Sequence, residues 1–141
     1  EANALRGQNT IILDSEVYSL SMTAPDTEKP TVDIVDITPD PRATAVSVVT
    51  VNFSEDVLNV DTTTDGAPDF VLTRDVGSGP QVVPLTGIIT QQVTNSQYTL
   101  DLSSVTDVDG MYLLTFDVSA GSIVDLAGNP PIADVDDART V

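Results

Sequence analysis

The sequence predicts an all-β protein, an antiparallel sandwich of Greek-key type with about seven strands, and a β-barrel is the alternative. Three observations support this. Aliphatic residues rather than aromatic ones supply most of the hydrophobic fraction of 40%, and the β-branched ones among them fit strands. Short segments alternate apolar and polar residues, and no window has the periodicity of an amphipathic helix. A length of 141 residues fits one domain.

The first predicted strands lie between residues 31 and 53. In TVDIVDI, Val32 and Ile34 face one side while Val35 and Ile37 face the other. When the apolar residues of one segment change from one face to the other in this way, a bulge or a strand that passes between two sheets is indicated. The segment 49–53, VTVNF, alternates regularly. One of its faces is therefore expected to be buried.

Two further strand segments follow, FVLTRD from residue 70 and QVVPLTGIITQQV from residue 81. Pro84 and Gly87 interrupt the second segment. Because proline cannot donate a ladder hydrogen bond and glycine weakens a strand interior, this segment is predicted to be an edge strand or to contain a bulge.

The strongest local pattern is a predicted hairpin formed by QYTLDLSSV and MYLLTFDVS, with TDVDG as its connection. Each segment places its large apolar residues on one face. These residues are Tyr98, Leu100 and Leu102 in the first segment, and Tyr112, Leu114, Phe116 and Val118 in the second.

Composition excludes several functions. The chain has 5 basic and 22 acidic residues and a formal charge of −17, which disfavours binding to nucleic acids and anionic membranes. The absence of cysteine and histidine excludes disulfides, zinc-thiolate sites and Ser-His-Asp catalysis. No apolar run reaches the roughly 18–20 residues that would cross a bilayer. Few aromatic residues are present to stack on a carbohydrate, so we expect a protein that is not an enzyme.

Acidic turns are candidate Ca²⁺ sites, because this ion prefers hard oxygen ligands. One candidate is the DVDG turn with Asp107 and Asp109, although the rest of an EF-hand loop is missing. The acidic loop 61–69 is another. For every candidate, a solvated turn without an ion is the alternative. The remaining candidate combines residues near the C-terminus: Asp125, Asp134, Asp136 and Asp137.

Three motifs occur in order along the chain: TPDP at 38–41, VNFSEDV at 51–57 and DLAGN at 125–129. With these motifs, residues 30–141 resemble the bacterial immunoglobulin-like domains that occur in tandem in large secreted and cell-surface proteins. The resemblance implies an immunoglobulin-like sandwich that serves as an extracellular spacer, stalk or adhesive module. It implies no catalytic chemistry.

The N-terminal segment has the layout of the end of such a domain. An Asn-containing turn at Asn3, similar to the one at Asn129, is followed by a polar stretch and a strand pattern. Residues 1–29 are therefore predicted to be an extension strand and linker, and residues 30–141 a sandwich with an incomplete closing strand. The extension strand contains Val17, Tyr18, Leu20 and Met22, and the last three of these share one face.

Two hypotheses follow for the extension strand. In one, it belongs to a preceding module of a tandem array, and the protein is a spacer or adhesive module rigidified by calcium. In the other, Tyr18, Leu20 and Met22 dock beside the incomplete closing strand of a neighbouring copy. Strand addition of this kind assembles subunits head to tail into a fibre. Both hypotheses describe a structural module of a bacterial surface protein, whose partners are copies of itself or adjacent repeats.

Overall fold

The computed structural model describes residues 21–61, 69–119 and 123–132 and the backbone of residues 138–140. Within these residues the chain forms ten β-strands and no helix. The strands are β1 (Val32–Ile34), β2 (Val48–Phe53), β3 (Val57–Leu58), β4 (Phe70–Asp75), β5 (Gln81–Val83), β6 (Thr90–Thr94), β7 (Gln97–Asp101), β8 (Met111–Phe116), β9 (Val124–Asp125) and β10 (Ala138–Thr140). In this part of the chain there is no helix long and apolar enough to span a membrane.

Two four-stranded antiparallel sheets form the body of the protein. The first has the strand order β1-β2-β7-β6 and the second the order β10-β8-β4-β5. A small third sheet pairs β3 with β9. The predicted all-β class and antiparallel sandwich arrangement are thereby confirmed.

The core lies between the inner faces of the two large sheets. Strands β2 and β8 each bury every second side chain, as their alternation predicts. Four aromatic rings pack edge to face at one end of this core. The ring centroids are 5.8 Å apart for Phe53 and Tyr98, 5.9 Å for Phe53 and Phe116, and 5.7 Å for Phe70 and Phe116. Such pairs stabilise a core beyond the burial of their area.

The predicted hairpin between residues 97 and 118 is wrong. Strand β7 lies in the first sheet and β8 in the second, so the connection between them crosses from one sheet to the other. The buried faces of the two strands were predicted correctly, but they meet across the core. Val118 is exposed because β8 ends at Phe116.

The crossing is fixed by Tyr112 and Gly110. The Tyr112 hydroxyl donates a 2.7 Å hydrogen bond to the backbone oxygen of Val108. Gly110 has a φ of 155°, and a Cβ at this position would lie 2.8 Å from the Cγ of Arg74. Glycine is therefore required where the connection packs against β4.

Two other predictions concern an edge strand and the end of β1. The segment from residue 81 contains β5 and β6, which are end strands of different sheets and flank Pro84 and Gly87. The predicted edge position is thus confirmed, although the segment is two strands. The apolar residues change face at Val35 because β1 ends at Ile34, so neither a bulge nor a strand that passes between two sheets is involved.

The chain enters the sandwich at one end and β10 leads to the other. The linker end contains Thr31, which pairs with Ser54 next to the aromatic cluster. The distal end contains the β4–β5 and β7–β8 connections. Strand β10 runs antiparallel to β8 and places Thr140 opposite Met111, at the distal end. The last linker residues and the end of β10 therefore lie at opposite ends of the sandwich.

Among the described residues, Thr90 has a polar side chain that is buried without a hydrogen bond. It is fully buried, and its Oγ1 has no hydrogen-bond partner among the described residues. Replacing Thr90 with valine keeps the shape and removes the unpaired hydroxyl, so we expect the free energy of unfolding to rise by about 1 kcal/mol. Urea denaturation measures the change, with Thr99→Val on the outer face of β7 as the control. A decrease in stability of Thr90→Val would contradict this account of Thr90.

Candidate metal centre at the linker end

The turn after β9 is organised by Asp125, which is 1% exposed. Its Oδ1 accepts hydrogen bonds from the backbone N–H groups of Ala127 (2.7 Å) and Asn129 (2.8 Å). Its Oδ2 accepts a 2.8 Å bond from Asn129 Nδ2. An aspartate that accepts from the backbone two and four residues later mimics a backbone turn. The DLAGN motif therefore folds around its first carboxylate.

The same turn holds the linker. Asn129 Nδ2 also donates to the backbone oxygen of Asp26, at 3.2 Å. Pro30 is buried, and its oxygen accepts a 2.8 Å hydrogen bond from the Ile132 N–H. Thr31 N–H donates to Ser54 Oγ at 2.9 Å, and Ser54 N–H donates back to the Thr31 oxygen at 3.0 Å. The last residues of the linker are thus built into the sandwich.

Three carboxylates meet at this junction, one from each of three segments. Asp26 belongs to the linker, Glu55 to the connection between β2 and β3, and Asp125 to β9. Each offers one oxygen, and the three oxygens lie within 4.8 Å of one another. We call Asp26, Glu55 and Asp125 the junction triad.

The environment shifts the pKa of two triad members in opposite directions. Desolvation raises the pKa of Glu55, and repulsion from Asp125, Asp26 and Glu28 raises it further. Desolvation also acts to raise the pKa of Asp125, but the hydrogen bonds from Asn129, Ala127 and Gly128 together outweigh it and lower this pKa. Asp125 is therefore a stable anion, and Glu55 is the member whose ionisation the cluster opposes.

The triad has the chemistry of a site for a hard divalent cation. Ca²⁺ takes about six to eight oxygen ligands at roughly 2.3–2.6 Å. Two oxygens on opposite sides of one such ion would be up to about 5 Å apart, so three oxygens that all lie within 4.8 Å of one another are close enough to contact a single ion. Backbone carbonyls and water would complete the coordination, because the triad supplies only some of the ligands.

Of the six predicted metal ligands, only Asp125 lies in the triad. Asp107 and Asp109 lie in the β7–β8 connection at the distal end. Asp134, Asp136 and Asp137 lie outside the described residues, as do positions 62–68 of the acidic loop.

Asp69, at the end of that acidic loop, has a structural role. It is buried, and one of its carboxylate oxygens accepts a 3.0 Å hydrogen bond from the Asp61 N–H. Desolvation raises the pKa of Asp69 despite this bond.

Of the predicted interface strand, only Met22 is described. It lies in the linker without regular secondary structure and is 96% exposed. Val17, Tyr18 and Leu20 lie outside the described residues.

Sequence reasoning missed Asp26 and Glu55. Glu55 stands in the FSED motif directly after a strand, and Asp26 stands four residues before the buried Pro30. Their positions, just before the sandwich begins and directly after a strand, are the sequence features that could have identified them as candidates. Nothing in their spacing connects them to Asp125, which lies about 70 residues beyond Glu55 along the chain.

Comparison of the chain with protein-family models, with curated proteins and with solved structures gave no match.

Glu55 is expected to titrate above its ordinary pKa, and Asp26→Asn is expected to lower that pKa, because one repelling charge is removed. Since the folded-state pKa is raised, the stability linked to Glu55 is present below its unfolded pKa and is lost as the pH rises through the folded value. Side-chain carboxyl NMR titration measures both proteins. An ordinary Glu55 pKa that Asp26→Asn leaves unchanged would mean that the two groups are not neighbours.

Proposed function

We propose that this chain is a non-enzymatic structural module of a bacterial extracellular surface protein or fibre, in which Ca²⁺ at the junction triad fixes the linker to the sandwich. The observation that carries this proposal is that the linker and two separate parts of the sandwich each contribute a carboxylate to the same point. A cation there would join the linker to the fold, whereas without one the three charges repel each other.

The strand order supports an immunoglobulin-like sandwich. The first sheet, β1-β2-β7-β6, corresponds to the A-B-E-D order of that fold, and the second, β10-β8-β4-β5, corresponds to G-F-C with an added edge strand. The bond from the Tyr112 hydroxyl to the Val108 oxygen resembles the tyrosine corner of such domains, since Tyr112 stands near the start of the equivalent strand.

The path of the chain supports a role as a spacer. Because the chain enters at the linker end and β10 leads to the distal end, consecutive modules would follow one another along a single axis. Modules joined by a free linker move relative to one another by default. A cation that holds Asp26 against Glu55 and Asp125 would limit this motion and give the array a defined direction.

Thermal unfolding with and without Ca²⁺ tests the proposal. We expect Ca²⁺ to raise the unfolding midpoint of the chain, since a ligand at a hundredfold excess over its Kd adds about 2.7 kcal/mol to the stability of the folded state. Asp26→Asn and Glu55→Gln should each reduce this rise strongly. Asp26→Asn keeps the oxygen that accepts from the Glu28 N–H, so the turn in the linker should survive.

The matched control is the double variant Asp107→Asn with Asp109→Asn, which removes two exposed acidic groups at the distal end. It should keep the full response to Ca²⁺. A wild-type midpoint that Ca²⁺ leaves unmoved would refute the proposed site, and so would an undiminished response in Glu55→Gln. Loss of the response in the control alone would move the site to the DVDG turn.

Head-to-tail strand donation is the second candidate. Among the described residues, β10 pairs only with Met111, Tyr112 and Leu113 of the six residues in β8. Edge strands β5 and β6 are poorly suited to an added strand, since β5 has only three residues and stands between Pro80 and Pro84, and the register of β6 is irregular. The edge strand β1 also pairs with only three of the six residues in β2. The position predicted for docking is beside the closing strand, which is β10, so a donated strand would add on the β10 side of the second sheet.

Removing residues 1–24 tests strand donation, because it deletes the strand pattern around Tyr18 and Leu20 and leaves the buried Pro30 in place. Light scattering and negative-stain images should show filaments or oligomer ladders for the full chain and none for the shortened chain. A full chain that stays monomeric at every concentration would rule out strand donation.

A further inference from the structure

A groove of about 310 Å³ lies on the first sheet, where β6 begins and β7 ends. One of its walls consists of residues 87–89, which lead into β6, together with Gln91 of that strand. The other wall consists of Asp101, the last residue of β7, and of Ser103 and Ser104, which follow it. We call this cavity the β6–β7 groove.

The strand register sets a carboxylate between two aliphatic side chains in this region. Thr90 pairs with Leu100, and the same register one residue further on places Ile89 opposite Asp101. On its other side Asp101 pairs with Val48 of β2. Because Thr90 and Leu100 are fully buried, the row formed by Ile89, Asp101 and Val48 faces outward. Ile89 is 38% exposed and Val48 is 55% exposed.

Hydrogen bonds fix both walls of the β6–β7 groove. The Ile88 N–H donates to the backbone oxygen of Leu85 at 3.0 Å, which closes the turn before β6. The Ser103 N–H donates to Asp101 Oδ1 at 2.9 Å, which closes a turn after β7. A Cβ at Gly87 would meet no other atom within 4 Å, so the space beside this residue is open. The groove is therefore preformed and accessible.

The polar groups of the groove favour a ligand that donates hydrogen bonds and carries positive charge. Among the residues that line it, Asp101 is the only charged one. Hydrogen bonds from the Ser103 hydroxyl and N–H lower the pKa of Asp101, so this carboxylate is an anion at neutral pH. The Ser104 hydroxyl and the Gln91 amide add further acceptor oxygens.

Three kinds of cation can be compared with this arrangement. An ammonium group has three donors and no acceptor, which matches a carboxylate with neutral acceptor oxygens around it. A guanidinium group prefers both oxygens of a carboxylate at once, but Oδ1 of Asp101 already accepts from Ser103. Ca²⁺ takes about six to eight oxygen ligands, of which a single carboxylate supplies too few. The ammonium group fits best.

We propose that the β6–β7 groove binds a primary alkylammonium group, whose charged head contacts the Asp101 carboxylate and whose hydrocarbon chain lies against Ile89 and Val48. An exposed ion pair alone contributes little to binding, and a formal charge of −17 attracts any cation. Contact with the two aliphatic side chains is what selects an alkylammonium ion over a simple cation. This site adds a ligand to the proposed structural module and uses no residue of the junction triad.

Titration of the full chain with n-butylammonium chloride tests the proposal, with binding followed in ¹⁵N–¹H NMR spectra at about 0.15 M NaCl, where charges on the surface are partly screened. The amide signals of Ile89, Gln91 and Ser103 should shift along one saturation curve, with a Kd on the order of millimolar for so small a ligand. Ammonium chloride lacks the hydrocarbon and n-butanol lacks the charge, so each should bind about tenfold more weakly or less.

Two variants and a matched control make the result specific. Asp101→Asn keeps an oxygen for the Ser103 N–H and should weaken binding about tenfold, and Ile89→Ser should weaken it about threefold. Asp33→Asn removes an exposed carboxylate from another strand of the same sheet and should bind as the wild type does. Nα-acetyl-lysine methylamide distinguishes two sources of the ligand. Tighter binding than n-butylammonium would indicate a lysine side chain of another protein, equal binding would indicate a free amine, and both support the site.

Three results would overturn the proposal: shifts that do not saturate and are spread over the acidic residues of the chain, undiminished binding to Asp101→Asn, or an equal loss of binding in Asp33→Asn. The Ca²⁺ response of the unfolding midpoint should be the same in Asp101→Asn as in the wild type, because Asp101 is not a member of the junction triad. A failure of the amine site is thereby distinguished from a failure of the proposed function.

Discussion

Replacing Phe53 with alanine is expected to lower the free energy of unfolding by about 3–5 kcal/mol, the usual cost of deleting a buried aromatic side chain. Phe53 is 5% exposed, and its ring packs edge to face against Tyr98 in its own sheet and Phe116 in the other. The substitution therefore removes contacts within one sheet and between the two, and leaves a cavity beside the linker end. Urea denaturation, monitored by circular dichroism, measures the loss.

Two further variants make this result specific. Phe53→Leu keeps most of the buried hydrocarbon and should cost less than half as much as Phe53→Ala. Val82→Ala, at an exposed position of β5, should stay within about 0.5 kcal/mol of the wild type. A loss below about 1 kcal/mol in Phe53→Ala would mean that the aromatic cluster does not hold the sheets together.

Replacing Asp125 with alanine is expected to have the second large effect, because it removes the acceptor around which the DLAGN turn folds. The N–H groups of Ala127 and Asn129 would lose their partner, and so would the Asn129 amide that also holds the Asp26 oxygen. The unfolding midpoint should fall clearly, and the linker should become susceptible to limited proteolysis at residues 21–29.

The pH dependence gives this prediction a sign. Hydrogen bonds lower the pKa of Asp125 in the folded state. The stability that Asp125 contributes is therefore present above its unfolded-state pKa and is lost as the pH falls through its folded-state pKa. The difference between wild type and Asp125→Ala should therefore shrink in acid. Asp125→Asn, which keeps an oxygen for the two backbone donors, should lose less stability than the alanine variant at neutral pH. Equal stability of all three proteins would contradict the role assigned to this carboxylate.

The strands could be predicted wherever a single face is buried. Val49, Val51 and Phe53 alternate with the polar residues Thr50 and Asn52. In β8 the buried residues Tyr112, Leu114 and Phe116 likewise occupy every second position, because each strand has one face on the core and one outside. Pairing could not be predicted in the same way. Two strands that bury one face each fit a hairpin or opposite walls of a sandwich equally well, and alternation alone does not distinguish them. The crossing from β7 to β8 depends on tertiary contacts such as Tyr112 with Val108.

The candidate site was less accessible to prediction. Asp125 could be singled out as an acidic residue of the DLAGN motif, because carboxylate oxygens are ligands that Ca²⁺ prefers. Asp26 and Glu55 join it only because the linker passes the turn after β9 and β2 ends at the same place. Contacts of this kind, between residues about 30 and 100 positions apart along the chain, follow from topology, and a single sequence does not contain them.

Amide hydrogen exchange at the junction tests most directly whether the linker is fixed to the sandwich. The Ser54 N–H bonds to the Thr31 oxygen and the Ile132 N–H to the Pro30 oxygen, so both should exchange more slowly than in a free peptide, and more slowly still when Ca²⁺ is added. The Gly77 N–H, bonded to Asp75 Oδ1 at the distal end, should not respond to Ca²⁺. Peptide-like exchange at Ser54 and Ile132, unchanged by Ca²⁺, would contradict the account.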